Sequence, residues 1–315
     1  MVKNDKMVHP SGKSDDIKKR VRVSPDGRVM IRKSDIKALK ESLPKKAEIS
    51  SSGIKTYDSS DISSDVSSEE STEKIGDLLN EKAPLIEVPL SGEDITALKT
   101  YAAMLREKNK VMNLTNITDD EGIAVRHFVD SLTIIPFIRD EQKKQNRDNL
   151  SIIDVGTGAG FPGIPVKIAV KELELTLLDS LQKRIGFLDD VVKAVDLDKT
   201  KTVHSRAEDA GHDSKYRGKY DISVARAVAA LPILCEYCLP FVKKGGIFLA
   251  MKAKSDEEVE SSANAVYKLG GKIEKVEKFV LPGTDMERSV IVIRKISDTP
   301  SQYPRKAGTP SKKPL

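Results

Sequence analysis

Residues 151–163 read SIIDVGTGAGFPG. An apolar run of Ile152, Ile153 and Val155 gives way to glycines at 156, 158, 160 and 163, after which Ile164, Val166, Ile168, Ala169 and Val170 supply one apolar helical face. That order predicts a strand, a tight loop and a helix. Glycines suit such a loop because a chain that reverses within a few residues uses positive φ, and because a side chain would hold a ligand away from the loop amides. The stretch has the form of a nucleotide-type cofactor cradle.

Outward from this loop the pattern alternates strand and helix. Strands are expected at 151–155, 173–178, 200–204, 220–224, 246–251, 272–279 and 288–294, with helices carrying apolar faces between them. Alternation of this kind predicts a parallel, doubly wound α/β sheet. The last two strands are joined by LPGTDME, too short for a crossover helix, so the final strand should run antiparallel. Upstream, Ile75, Leu78 and Leu79 suggest a short helix. Ser91-Gly-Glu-Asp94 resembles a capping box opening a second helix, and a third should run from about 120 to 137, with 139–149 as a connection. Residues 74–149 would then be a small helical cap on an α/β domain at 150–296.

The ends have a different composition. Residues 1–46 carry fourteen Lys or Arg against six acids, and 47–73 carry seven acids against one Lys, with ten serines between Ser50 and Ser71. A basic arm followed by an acidic, serine-rich stretch predicts a disordered extension over 1–73. Within it VRVSPDGRVMI (21–31) could form a hairpin. Residues 297–315 are Pro-rich and basic, and fit either a loose tail or contacts to phosphates. No apolar run approaches the length of a membrane span, and charged residues make up 32% of the 315. A cytoplasmic monomer with no membrane partner is expected. Cys235 and Cys238 form a lone CxxC inside an expected helix, which favours core cysteines over metal binding.

In an open α/β sheet the ligand sits at the carboxyl ends of the strands, where strand order reverses. The loop should therefore meet Asp179-Ser180, Arg206-Ala-Glu-Asp209 and Ala225-Arg226-Ala227. Asp179 suits two ribose hydroxyls, since a carboxylate accepts more than one hydrogen bond. The spacing Gly158-x-Gly160-x-x-Gly163 would also allow a dinucleotide. Asp154 ahead of the first glycine favours a cationic ligand, and Pro162 removes an amide that could cradle phosphate, so S-adenosylmethionine is preferred to NAD. Gly156 and Gly158 would line its site.

The segments DVGTGAGFPGIP, LLDSLQKRIGFL, RAED, YDISVARAVAALPILCEYCLPFVKKGG and MK, preceded by NKVMNLTNIT and RHFVDSL, closely resemble the bacterial 16S rRNA guanine-N7 methyltransferase family RsmG, also called GidB or glucose-inhibited division protein B. The resemblance runs from about residue 75 to the end and does not include the extension. It implies a class I, Rossmann-like methyltransferase fold, S-adenosylmethionine as methyl donor with no metal, and 16S rRNA or the small ribosomal subunit, rather than DNA, as partner. It further implies that Gly156, Phe161, Ala207, Glu208 and Arg226 contact the donor or line its site. Guanine N7 carries a free lone pair, so catalysis would be mainly alignment, with Arg226 or Lys252 donating to guanine O6. His127 is expected to be structural, and Asp130 and Ser131 to pin the cap to the sheet. A methyltransferase acting on protein or small molecule, and a non-catalytic RNA- or NAD-binding module, are the alternatives.

Overall fold

The computed structural model describes residues 72–253 and 255–315, together with three short strands nearer the start. The chain divides into two compact units, Met1–Glu70 and Ser71–Leu315. In the first, Val21–Val23 pairs antiparallel with Val29–Arg32, giving the two strands of the expected hairpin. Val29–Arg32 pairs in parallel with Ile54–Tyr57, a strand inside the serine-rich stretch, where Ile54, Thr56 and Tyr57 supply β-favouring residues. Residues 72 and 73 are helical, and the expected disorder of 1–73 otherwise falls on residues outside those described.

The second unit is built on seven strands: β1 Ser151–Val155, β2 Glu174–Asp179, β3 Thr200–His204, β4 Tyr220–Arg226, β5 Val242–Lys252, β6 Gly271–Val280 and β7 Glu287–Lys295. Their order is β3-β2-β1-β4-β5-β7-β6, with β7 antiparallel to both neighbours. This is the expected class I methyltransferase arrangement. Strand order reverses between β1 and β4, so the crevice above their carboxyl ends is where a ligand belongs.

Ten helices are used here to place the site: α1 (72–82), α2 (Gly92–Met112), α3 (Gly122–Val129, wound as a π-helix and continued by Asp130–Leu132), α4 (Ile135–Gln145), α5 (Gly163–Ala169), α6 (Gln182–Ala194), α7 (Ala207–Ala210), α8 (Leu231–Cys238), α9 (Asp256–Lys268) and α10 (Thr309–Lys312). The capping box forms: the Ser91 hydroxyl accepts from the Asp94 amide at 3.2 Å and the Asp94 carboxylate from the Ser91 amide at 2.9 Å. One sheet face is buried under α2, α3, α5 and α6, through Leu98, Phe128, Ile164 and Leu188. The other lies under α8 and α9, through Leu234, Cys235, Ala265 and Leu269. Cys235 and Cys238 are buried free thiols, and burial pushes both well above the ordinary thiol range.

One expectation is corrected. The single helix over 120–137 is two, broken at Thr133–Ile134, and the supposed connection is α4. Pro136 opens α4 in its first turn, where a missing amide costs least. The polar stretch after it is held because Glu141 takes both Nη atoms of Arg294 from β7, at 2.8 and 2.7 Å. The C-terminal segment, for which a loose tail and phosphate contacts had both been open, is anchored. Tyr303 packs into the second core cluster, and Arg217 donates to the carbonyls of Tyr303 and Thr299, each at 2.7 Å.

Candidate functional site

The glycine loop leaves β1 with positive φ at Gly156 (+73°), Gly158 (+63°) and Gly160 (+108°). The amides of Gly156 and Thr157 bond the Leu178 carbonyl at 2.8 and 3.1 Å, which fixes the loop to the end of β2. Asp154 braces the turn from below. Its Oδ2 accepts from the Thr157 hydroxyl at 2.7 Å and from the Gly163 amide at 2.8 Å. The carboxylate is 0% exposed and its Oδ1 has no hydrogen-bond partner among the described residues. Burial raises its pKa to about 6, against the lowering effect of those two hydrogen bonds. Asp154 was expected to favour a cationic ligand beside the first glycine; the structure turns it under the loop, where it sets the loop's shape.

Above the loop, a Cβ built on Gly158 would meet nothing within 4 Å, so this face is open to a ligand. The Gly158 amide donates to Asp179 Oδ2 at 3.0 Å, and Asp179 Oδ1 accepts from the Leu181 amide at 2.9 Å. Asp179 thus stands at the end of β2 beside the open glycine, as expected. Arg184 of α6 also reaches Asp179 Oδ2, at 3.3 Å. Leu181 and Val228, both exposed, flank the opening with apolar surface.

On the opposite side the cap closes on Arg226. At the end of β4 the chain turns through Ala227 at φ +56°, an unusual conformation for a residue with a Cβ. Arg226 Nη1 meets Asp130 Oδ2 at 2.7 Å and also faces the carbonyls of Arg126 and His127 at 3.2 and 3.4 Å. Asp130 Oδ1 accepts from Arg288 Nε at 2.8 Å, so one carboxylate joins α3, β4 and β7. Nothing local in the sequence marked Arg288. The Phe161 ring lies 5.0 Å from the Arg226 guanidinium and stacks on His127, with centroids 4.4 Å apart and planes at 12°. Tyr101 packs on Phe161 and donates its hydroxyl to the Ala159 carbonyl. Phe161 is buried and forms a wall between loop and cap.

His127 is neutral: burial, and then the charges of Arg226 and Arg126, lower its pKa from 6.5 to about 3. Its Nδ1 faces Arg226 Nη2 at 3.4 Å and its Nε2 contacts the Thr115 hydroxyl at 2.7 Å. Donation from the guanidinium to Nδ1 puts the ring proton on Nε2.

Ala207 and Glu208 open α7 just past β3, on this same sheet edge. Glu208 is buried, and its Oε1 accepts from the Gly308 amide at 2.9 Å. Lys252 does not stand free to orient a base. Its ammonium pairs with Glu258 at 2.7 Å and donates to the Ala229 carbonyl at 2.6 Å, tying the turn after β4 to α9.

The family model described as rRNA small subunit methyltransferase G (GidB) matches residues 94–290. The chain is 56% identical over 242 residues to the ribosomal RNA small subunit methyltransferase G of Acetivibrio thermocellus, covering 77% of this chain and 97% of that relative. It is 48% identical to the protein of the same name from Alkaliphilus metalliredigens (72% and 92% covered) and 48% identical to that from Staphylococcus carnosus (75% and 97%). This chain belongs to the rRNA small subunit methyltransferase G family. In this family member a cleft of about 620 Å³ lies at the carboxyl end of β5, lined by Ala253, Ser255, Glu258, Phe279, Ser289 and Arg288, the last of which also pairs with Asp130. The hydroxyls of Ser255 and Ser289 are buried, without a hydrogen-bond partner among the described residues. Neither serine carries a sequence signal, because each becomes part of a site only when β5, α9 and β7 meet. Among the described residues no group of three or more His, Cys, Asp or Glu is arranged to hold a metal, and no helix is long and apolar enough to cross a membrane.

Proposed function

We propose that this protein transfers a methyl group from S-adenosylmethionine to N7 of a guanine in 16S rRNA. What supports the donor is the pairing of Gly158, open on its ligand side, with the buried Asp179 at the point where strand order reverses, in a chain of this family. When bound, S-adenosylmethionine supplies an electrophilic methyl on a sulfonium. Asp179 would accept the ribose hydroxyls, Gly156 and Gly158 would let the chain approach closely, and Ala207 and Glu208 would close the β3 side. Leu181 and Val228 offer the apolar flanks that an adenine needs.

For the acceptor, N7 brings its own lone pair, and no general base is required. The protein's contribution is then alignment. Arg226 is held from behind by Asp130 and two carbonyls, while its Nε has no hydrogen bond among the described residues. That leaves it a donor for guanine O6, next to N7 on the same edge of the base. Lys252 would act indirectly, by holding the turn after β4. The cleft beside Arg288 is sized for a nucleotide. A base that reaches it must be unstacked, which points to looped or partly assembled RNA.

The test is to incubate the protein with labelled S-adenosylmethionine and either naked 16S rRNA or small subunits, then map the modified nucleotide. Label on one guanine N7, abolished by Arg226→Ala in a folded protein, is the expected result. Label on protein or on a small molecule alone, or no label on either RNA substrate, would refute the assignment.

A further inference from the structure

The C-terminal segment contains both anchors and free charges, and the structure separates them. Arg305 makes a two-point ion pair with the fully buried Glu236 of α8, with Nη2–Oε2 at 2.6 Å and Nε–Oε1 at 2.9 Å. The Gly308 amide bonds Glu208 at 2.9 Å, the Pro304 carbonyl meets His212 Nε2 at 2.6 Å, and the Ser311 hydroxyl meets Tyr237 at 2.9 Å. Pro310 is buried between these points. The segment is therefore fixed against α7 and α8.

The remaining cations face the other way. Lys306, Lys312 and Lys313 are exposed, and none has an ion pair or side-chain hydrogen bond among the described residues. Arg206, exposed at the start of α7, is equally unpaired, and its charge reaches the Tyr237 hydroxyl that Ser311 contacts. Glu208 and Glu236 are consumed by the anchors, which leaves Asp209 as the exposed acid on this turn. The α7 turn follows β3, so Arg206 stands on the sheet edge that carries the glycine loop and Asp179, and the Gly308–Glu208 bond ties the lysine-bearing segment to that turn. Long side chains left unpaired beside such a site, on a segment fixed by buried bonds, form a preorganised positive rim.

We propose that Arg206, Lys306, Lys312 and Lys313 form a track for the phosphodiester backbone of the RNA acceptor, with the C-terminal segment as its scaffold. The inference rests on the RNA-acceptor reading above. Phosphate contacts carry affinity rather than sequence choice, so the track would hold the RNA while the cleft beside Arg288 receives the base.

The experiment uses the full chain with Lys306, Lys312 and Lys313 each replaced by Gln, which leaves every anchor intact. Filter binding of 16S rRNA is measured across a salt series, with KM for the RNA and calorimetric affinity for S-adenosylmethionine alongside. Each phosphate contact contributes about 0.7–0.9 to the slope of log affinity against log salt, so the slope should fall by about two to three. KM for RNA should rise about tenfold or more at moderate salt, with donor affinity held within about twofold. A control replaces Lys199, Lys201 and Lys215, which line a cleft at the starts of the strands on the opposite edge. Its slope should stay at the wild-type value. An unchanged slope in the first variant, or an equal fall in the control, overturns the track. If the first variant melts early, Lys313→Gln alone should still lower the slope by about one, and failure to do so has the same force. If wild-type protein binds 16S rRNA with the expected salt slope but does not methylate it, the acceptor assignment fails and the track stands. Binding of an acidic protein in place of RNA, lost with the same lysines, would also refute the track.

Discussion

Replacing Asp130 by asparagine probes the joint between cap and sheet. The carboxylate is 4% exposed and faces the Arg226 and Arg288 guanidinium groups at 2.7 and 2.8 Å, whose side chains are 13% and 21% exposed. Removing one partner of a buried ion pair costs about 3–5 kcal/mol, because the partner's charge stays buried without compensation. Asparagine keeps the shape and one acceptor, and the carbonyls of Arg126, His127 and Glu287 still take hydrogen bonds from the two arginines. The lower end applies, about 3 kcal/mol. For a unit of this size that corresponds to a fall of roughly 6–12 °C in melting temperature. Urea unfolding of Asp130→Asn, Arg288→Met and the double variant checks it, with a coupling of about 1–2 kcal/mol expected for groups in direct contact. Methyl transfer should fall too, since Arg226 loses its main support. If Asp130→Asn unfolds within about 0.5 kcal/mol of wild type, the carboxylate does not hold the joint and the account of Arg226 as a positioned donor is wrong.

Three further outcomes are expected. His127 is held near 3, below its ordinary 6.5, so the unfolded chain takes up the proton first as pH falls. Its contribution is complete above about 6.5 and shrinks by about 2 kcal/mol between pH 7 and 5. Asp154, raised to about 6, has the opposite sign, gaining stability as pH falls towards 4. The difference in stability between wild type and His127→Gln isolates the first effect; parallel pH profiles would contradict it. Gly163→Ala would place a Cβ 2.7 Å from Leu177 Cδ2 and 2.8 Å from Asp154 Oδ2, so donor affinity by calorimetry should drop about tenfold or more, at a stability cost of about 1–3 kcal/mol. Gly92→Ala, whose Cβ would meet nothing within 4 Å, should leave donor affinity at the wild-type value. Arg305→Met strands the buried Glu236 and should cost about 3 kcal/mol, with trypsin then cutting at Lys306; resistance equal to wild type would show that the anchor is not needed.

Features written in neighbouring residues were read correctly from the sequence. The Ser91–Asp94 capping box spans four residues, β1 with its glycine loop spans thirteen, and the seven strands follow from apolar runs bounded by turn residues. The antiparallel last strand followed from a connection too short to cross over. The break before α4 was missed because a polar helix is held there by Arg294, which lies 153 residues beyond Glu141.

The sequence by itself thus determined the order of strands and helices, the glycine loop, and which strand ends would gather around a ligand, because hydrophobic period, turn chemistry and the right-handed crossover rule are local or topological. Tertiary structure alone decided what each charged side chain does there. Asp154 turned beneath the loop and Lys252 was taken by Glu258. Asp130 acquired Arg288, 158 residues away, and Glu208 acquired the Gly308 amide, 100 residues away. A buried charge takes whichever partner the packed chain brings within hydrogen-bond reach, and that choice is made only when the distant segments meet.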